Sequence, residues 1–147
     1  MSYVWLSWLA EAMRDEGLKV VEHSGWSSRG RPSSTGSFAP YGVLWHHTGT
    51  KTSTSNPHPT ISTLINGRSD LPGPLCQLSV CYIGEVHIIA AGRANHAGQN
   101  KGSGPIPAGD GNAQMIGIEI DFDGTQLMSG VQWDASVAAT AALLRKL

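Results

Sequence analysis

The sequence predicts a single α/β domain over residues 1–147, with a mixed central β-sheet flanked by α-helices. Short apolar or alternating segments, which are typical of strands, are interleaved with segments of helical periodicity. The chain has 147 residues, of which 40% are hydrophobic, so it can bury one core. No segment recurs along the chain, so a repeat architecture is not expected.

Composition narrows the range of partners. Ten Lys and Arg against eleven Asp and Glu give a formal net charge of -1. Nucleic-acid binding normally depends on clustered cations that neutralise phosphates, so we expect no nucleic-acid partner. Eighteen glycines and eight prolines indicate many turns and long loops on a rigid framework. We expect these loops to line a cleft.

The N-terminus has several large apolar residues but no basic segment before them, and charged residues interrupt it from Glu11 onward. We therefore expect neither a signal peptide nor a transmembrane helix. Cys76 and Cys81 lie in a segment that we interpret as extended, where odd spacing directs side chains to opposite faces. Free thiols are predicted, which fits synthesis in a reducing compartment.

The first half of the chain predicts two helices and two strands. Apolar residues recur at helical spacing from Tyr3 to Glu16, and this pattern places Trp5 and Trp8 in the core. The elements that follow are a strand at 18–21, a loop at 24–40, a strand at 43–48 and a helix at 60–66 that ends at Gly67.

The second half predicts a hairpin, a recognition loop, a strand and a final helix. Strand-like runs at 75–83 and 86–91 are separated by Gly84-Glu85, which indicates a hairpin turn. The glycine-rich segment 98–111 lacks the ending of a phosphate-binding loop, so a recognition loop is favoured. Ser129 and Gln132 form a capping box for a helix whose apolar residues at helical spacing are Trp133, Val137, Ala141 and Leu144.

Two adjacent histidines end the strand at 43–48. Strand alternation puts His46 on one face and His47 on the other, so both are not expected to bind one ion. A catalytic zinc ion uses three protein ligands and keeps a fourth position for water. From the residues alone, a metal ligand and a histidine bonded into the core or exposed at a strand end both remain open.

The segment 115–122 alternates isoleucines with polar residues and so places Glu119 and Asp121 on one face. A glycosidase acid pair does not fit this spacing, because such positions lie about 7 Å apart and project in parallel rather than across a sugar. The segment 121–124 lacks the oxygen ligands of a calcium loop, so we interpret it as a strand end and turn.

Three blocks of sequence, taken together and in this order, resemble the zinc-dependent N-acetylmuramoyl-L-alanine amidase family. This family shares its fold with peptidoglycan recognition proteins, and the resemblance is greatest to endolysins of phages that infect actinobacteria. It runs from about Gly17 to the C-terminus. The blocks are Leu44-Trp45-His46-His47-Thr48, Ala90-Ala91-Gly92-Arg93-Ala94-Asn95-His96-Ala97-Gly98 and Asn112-Ala113-Gln114-Met115-Ile116-Gly117-Ile118-Glu119.

The resemblance implies an endolysin that hydrolyses the amide between N-acetylmuramic acid and the L-alanine of the stem peptide. In that role, His46 is the first zinc ligand and Glu119 the general base for a zinc-activated water. The expected substrate-binding residues are His96, Asn95, His47 and Thr48. The implied partner is bacterial peptidoglycan, reached after synthesis in the host cytoplasm and once lysis has begun; no protein partner is evident.

The chain departs from the family pattern in its zinc ligands. The family's other two ligands follow the final helix, and this sequence stops at Leu147, so we expect an amidase domain that lacks its C-terminal part. One ligand of three does not hold zinc tightly. Two functions therefore remain open: a zinc-dependent amidase, and a non-catalytic peptidoglycan-binding module or inactive amidase fragment.

Three other histidines are candidates for substitute ligands. His87 is predicted in a strand, and His23 and His58 are predicted in poorly placed loops. We expect none of them to replace the missing ligands of His46.

Overall fold

A computed structural model describes residues 2–147. Its helices are α1 (Leu9–Asp15), α2 (Ile61–Asn66), α3 (Gly111–Gln114) and α4 (Gly130–Leu144), with short 3-10 turns at Trp26–Ser28 and Ser33–Thr35. Its strands are β1 (Lys19–Glu22), β2 (Gly42–His47), β3 (Gly67–Arg68), β4 (Leu71–Pro72), β5 (Leu78–Val80), β6 (Glu85–Ile88), β7 (Gln99–Asn100), β8 (Gly109–Asp110) and β9 (Met115–Ile120).

Five of the strands form the central sheet, in the order β1-β6-β5-β9-β2. All neighbouring pairs are parallel except β5 and β6, which are antiparallel. This sheet, flanked by helices, confirms the predicted α/β class. The other four strands form two-stranded ribbons in the loops, β3 with β4 and β7 with β8.

The main core lies between one face of the sheet and helices α1 and α4. Isoleucines of β9 project into it, as their alternation predicts. A smaller apolar cluster under α2 covers part of the other face, where Leu64 packs with Leu75 and Cys76. Cys76 and Cys81 are both free and buried. Of the helices in residues 2–147, none combines the length and apolarity that crossing a bilayer would need.

The first helix is shorter than its periodicity predicts. Residues 3–8 are not helical because Tyr3 forms a bridge with Phe38, and the N–H of Val4 donates to the carbonyl of Phe38 at 2.8 Å. The core prediction is wrong for Trp5, which is 46% exposed. It holds in part for Trp8, which packs against the core.

The final helix begins where the capping box predicts, since the hydroxyl of Ser129 accepts from the N–H of Gln132 at 3.1 Å. Its large apolar residues, however, are not the buried face: Trp133 is 53% exposed. Four small residues, together with Gln132 and Leu143, face the sheet instead, and the small residues let the helix approach closely. These buried positions are Gln132, Ala135, Ser136, Ala139, Ala142 and Leu143.

Candidate active site

His46 and Glu119 lie side by side on the sheet. They are register partners on the parallel strands β2 and β9, so their side chains project from the same face at the strand spacing of about 4.8 Å. The same register continues to Ser79 on β5 and His87 on β6. A row of polar side chains therefore crosses four strands on the face opposite the main core.

The imidazole of His46 is held by His96. Nε2 of His46 lies 3.1 Å from Nδ1 of His96, and Nε2 of His96 lies 3.2 Å from the carbonyl oxygen of Met115. A carbonyl only accepts, so Nε2 of His96 carries the proton and its Nδ1 accepts from His46. Nδ1 of His46 is then the nitrogen that keeps a free lone pair.

Burial keeps this pair neutral. Desolvation, with a contribution from His46, lowers the pKa of His96 to about 4. Desolvation also lowers the pKa of His46, and His47 adds to the effect. Both imidazoles are therefore uncharged at neutral pH, which is the form that binds a metal ion or accepts a proton.

Glu119 combines burial with a missing partner. Among residues 2–147, its Oε2 atom is buried and has no hydrogen-bond partner. Desolvation, and secondarily the nearby charge of Asp121, raise the pKa of Glu119 to about 7. A carboxyl group with a pKa near 7 can exchange a proton at neutral pH, which is what a general base requires.

A cleft of about 270 Å³ opens next to these groups. Glu119, His96 and Asn95 are three of its lining residues, and His46 contacts the cleft through His96. The remaining lining residues are Arg68, Leu71, Leu75, Ala97, Gly98 and Asn112. The cleft has both polar and apolar walls, as sites for organic ligands commonly do.

Asn112 fixes the loop that carries His96. Its side-chain oxygen accepts from the N–H groups of His96 and Ala97 at 2.8 and 2.7 Å. The neighbouring Asn95 donates from its side chain to the carbonyl of Pro72 at 2.8 Å. The structure therefore brings His46, Glu119 and His96 together, with Asn95 at the cleft.

Two predicted substrate-binding residues are not in the cleft. His47 is exposed on the opposite face of the sheet and packs against Phe122, with ring centroids 5.4 Å apart, because successive strand residues alternate faces. The hydroxyl of Thr48 donates to Oδ1 of Asp121 at 2.7 Å, so it is engaged within the fold. The structure thus places neither residue among those that line the cleft.

Asp121 is hydrogen-bonded within the fold and does not line the cleft. It is fully buried and also accepts from the hydroxyl of Thr60 at 3.1 Å. Asp123, two residues on, accepts from the N–H groups of Thr125 and Gln126 at 2.8 Å each. The segment is therefore a strand end followed by a turn, as predicted.

The residues around His46 do not complete a catalytic zinc site. Nδ1 of His46 offers one donor, but three protein ligands are needed. Within residues 2–147, only one group of three or more His, Cys, Asp or Glu side chains has donor atoms within 4.8 Å of one another, and it excludes His46. We therefore derive no catalytic step through a metal ion at His46.

That group forms around the histidines expected to be poorly placed. It contains His58, Cys81, Glu85 and His87, and Nε2 of His23 lies 2.9 Å from Nδ1 of His87. The loops that carry His23 and His58 therefore bring these histidines to His87 rather than to His46. The sequence prediction places Glu85 in the turn. In the structure, residues 82–84 form the turn and Glu85 pairs with Cys81, so the predicted hairpin does not bring these two side chains together.

Comparison with known proteins agrees with this fold. Residues 36–147 match the N-acetylmuramoyl-L-alanine amidase family. No curated protein matches the sequence. The chain therefore belongs to the N-acetylmuramoyl-L-alanine amidase family, as the three sequence blocks predict.

Solved structures show the same fold. One is the endolysin N-acetylmuramoyl-L-alanine amidase LysCS from Clostridium intestinale URNW, with a TM-score of 0.59 and 20% identity over 87% of this chain and 74% of that one. Another is the N-acetylmuramoyl-L-alanine amidase LysC from the same organism, with a TM-score of 0.59 and 19% identity over 87% and 76% of the two chains.

Proposed function

We propose that this domain is a peptidoglycan hydrolase that cleaves the amide between N-acetylmuramic acid and the L-alanine of the stem peptide. One observation carries the proposal: Glu119 and His46 are register partners on one sheet face beside an open cleft. Membership of the amidase family supplies the substrate class. The domain would act as an endolysin on the bacterial cell wall after synthesis in the host cytoplasm.

Glu119 is the general base in this proposal. Its ionised form takes a proton from the attacking water and passes it to the leaving amine of L-alanine. The pKa of about 7 leaves a substantial ionised fraction at neutral pH. His96 positions His46 through the hydrogen bond between their rings and forms part of the wall against which the substrate packs.

Zinc dependence stays a prediction that follows from the family resemblance. A bound zinc ion would polarise the scissile carbonyl and activate water. His46 is the one residue of this chain to which we assign a role in holding it, through Nδ1. The further ligands are not supplied near His46 by the described residues 2–147.

Product analysis tests the proposed bond. Purified peptidoglycan is incubated with the chain and zinc, and new chain ends are identified chemically. We expect new L-alanine amino termini and muramic acid with a free lactyl carboxylate. New reducing sugar ends would instead indicate a glycosidase and would contradict the proposal.

A second candidate is a module that binds peptidoglycan without hydrolysing it. The absence of a complete ligand set around His46 within residues 2–147 favours it. Cosedimentation of the chain with insoluble peptidoglycan, without release of new termini, would support binding alone. Hydrolysis under the same conditions would exclude this candidate.

The paired histidines provide a matched test of the site. We expect His46→Ala to reduce hydrolysis about 10- to 100-fold. The substitution removes the imidazole that lies beside Glu119 and contacts His96, and loss of a group that supports a catalytic site typically costs this much. His47→Ala, one residue away on the opposite face, should leave the rate close to wild type. The measurement is the initial rate of L-alanine terminus release. Equal losses of hydrolysis rate in both variants would contradict the assignment of the active site to the sheet face that carries His46.

A further inference from the structure

A second cluster of metal-binding side chains lies on the same sheet face as His46 but away from it. His87 is separated from His46 by three strand spacings along the polar row, or about 14 Å. Donor atoms of His58, Cys81, Glu85 and His87 all lie within 4.8 Å of one another. We propose that these four residues bind a zinc ion at a structural site distinct from the active site.

The distances suit tetrahedral zinc. Zinc–nitrogen bonds of 2.0–2.1 Å and zinc–sulfur bonds of 2.3 Å put neighbouring donors about 3.3–3.6 Å apart. Nε2 of His58 and Nε2 of His87 face each other at 2.9 Å, and Oε2 of Glu85 lies 3.4 Å from the latter. A shift of a few tenths of an ångström would therefore admit the ion.

The charges also suit a divalent cation. Two neutral imidazoles, one thiolate and one carboxylate contribute a charge of -2, which balances Zn²⁺. Thiolate and imidazole are the ligands that favour zinc over magnesium or calcium. Cys81 and His87 are buried, so the ion would be shielded from solvent, as in structural sites.

Neighbouring groups orient the ligands. Nε2 of His23 lies 2.9 Å from Nδ1 of His87, so a hydrogen bond there leaves Nε2 of His87 for the metal. Lys19 holds the other oxygen of Glu85, with Nζ 3.1 Å from Oε1.

His58 brings a long loop to the sheet. The carbonyl of Pro57 accepts from the N–H of Tyr82 at 3.0 Å, and Thr60 donates to Asp121, so both neighbours of the His58 segment are anchored. Within the described part of the chain, Nδ1 of His58 is buried without a hydrogen-bond partner. A metal ion would therefore tie the loop between β2 and α2 to the hairpin of β5 and β6.

Cobalt substitution tests this site without an activity assay. The full chain is stripped with a chelator and titrated with Co²⁺ alone, and then with Zn²⁺ as competitor. We expect one equivalent of Co²⁺ with thiolate-to-metal charge-transfer absorption and the intense d–d bands of tetrahedral coordination. Zinc should displace it and raise the melting temperature of the chain.

The two cysteines supply the matched control. Cys81→Ser should remove the charge-transfer band and weaken affinity about 100-fold or more, since thiolate is a principal zinc ligand. Cys76→Ser, also at a buried free cysteine, should retain both properties, as should His46→Ala. His58→Gln, in a loop, should weaken binding at least about 10-fold even if Cys81→Ser fails to fold.

Three results would overturn the site. They are a folded wild-type chain that binds no Co²⁺, a charge-transfer band that survives Cys81→Ser, and a band that is lost in His46→Ala. The failure of the proposed function would look different, because it would change the products from peptidoglycan and leave cobalt binding intact.

Discussion

The Glu119→Gln variant should lose hydrolysis and gain stability above pH 7. Removing a general base lowers the rate by 10²- to 10⁴-fold. The same substitution removes a carboxylate that is buried and has no partner for Oε2 within residues 2–147. Function and stability are therefore opposed at this one side chain, as is common for groups selected for reactivity.

The pH dependence of the stability gain follows from the raised pKa. The unfolded-state value of 4.5 rises to about 7 on folding. Folding is therefore not penalised by this group below pH 4.5, and the penalty grows as pH rises and is complete above pH 7. The shift corresponds to up to about 3 kcal/mol.

Denaturant unfolding at pH 5 and pH 8 measures this difference. We expect the free energies of unfolding of wild type and Glu119→Gln to lie closer together at pH 5 and to differ most at pH 8, where the variant is more stable. Glu11→Gln, at an exposed helical site, serves as control. A Glu119→Gln chain that hydrolyses peptidoglycan at the wild-type rate would remove Glu119 from the mechanism.

The second large effect is expected from Gly117→Ala. Gly117 lies in β9 directly under the His96 ring, and a Cβ atom there would be 2.5 Å from Cγ of His96. The ring must move, and with it the 3.1 Å contact to His46. We expect a loss of about 1–3 kcal/mol from overpacking and a fall in hydrolysis of about 10- to 100-fold from the displaced positioning residue.

Gly130→Ala is the control, because Gly130 lies at the exposed start of α4, outside the cleft, and an added Cβ would meet no atom within 4 Å. Urea unfolding and the rate of L-alanine terminus release are measured for both variants. If Gly117→Ala retained the wild-type stability and hydrolysis rate, this would contradict the claim that the packing of His96 against Gly117 positions the active site.

Local patterns in the sequence predict the strands well. Alternation correctly separates His46 from His47 and places Glu119 opposite the isoleucines of β9, because side-chain direction in a strand depends only on position. Alternation does not give the register between neighbouring strands. In the structure, the pairing of β2 with β9 places His46 beside Glu119.

The helices show where local patterns fail. Trp5 has helical spacing, but the bridge between Tyr3 and Phe38 holds the neighbouring backbone in an extended conformation, so no helix forms there. In α4, helical spacing favours large residues such as Trp133 for the buried face, whereas that face consists of small side chains together with Gln132 and Leu143. Tertiary pairing and close approach are not encoded in periodicity.

The histidine cluster was missed for a different reason. His23, His58 and His87 come from three separate segments. The predicted turn at Gly84-Glu85 would also pair residue 83 with residue 86, whereas the structure pairs Cys81 with Glu85. The observed turn comprises residues 82–84 and ends at Gly84, which has a φ of 80°, so Glu85 belongs to β6. Because Glu85 and His87 both belong to β6, their side chains lie on one face, two residues apart. This spacing is the feature of the sequence that indicates the cluster.

The location of the substrate is tested most directly by NMR. The ¹⁵N-labelled Glu119→Gln chain is titrated with a soluble muropeptide that contains the N-acetylmuramoyl–L-alanine amide. We predict the largest amide shifts at Leu75, Ala97, Gly98 and Asn112, with the indole signals of Trp45 and Trp133 on the opposite face unchanged. Shifts concentrated at those tryptophans, or no shifts at saturating muropeptide, would contradict the assignment of the cleft as the peptidoglycan site.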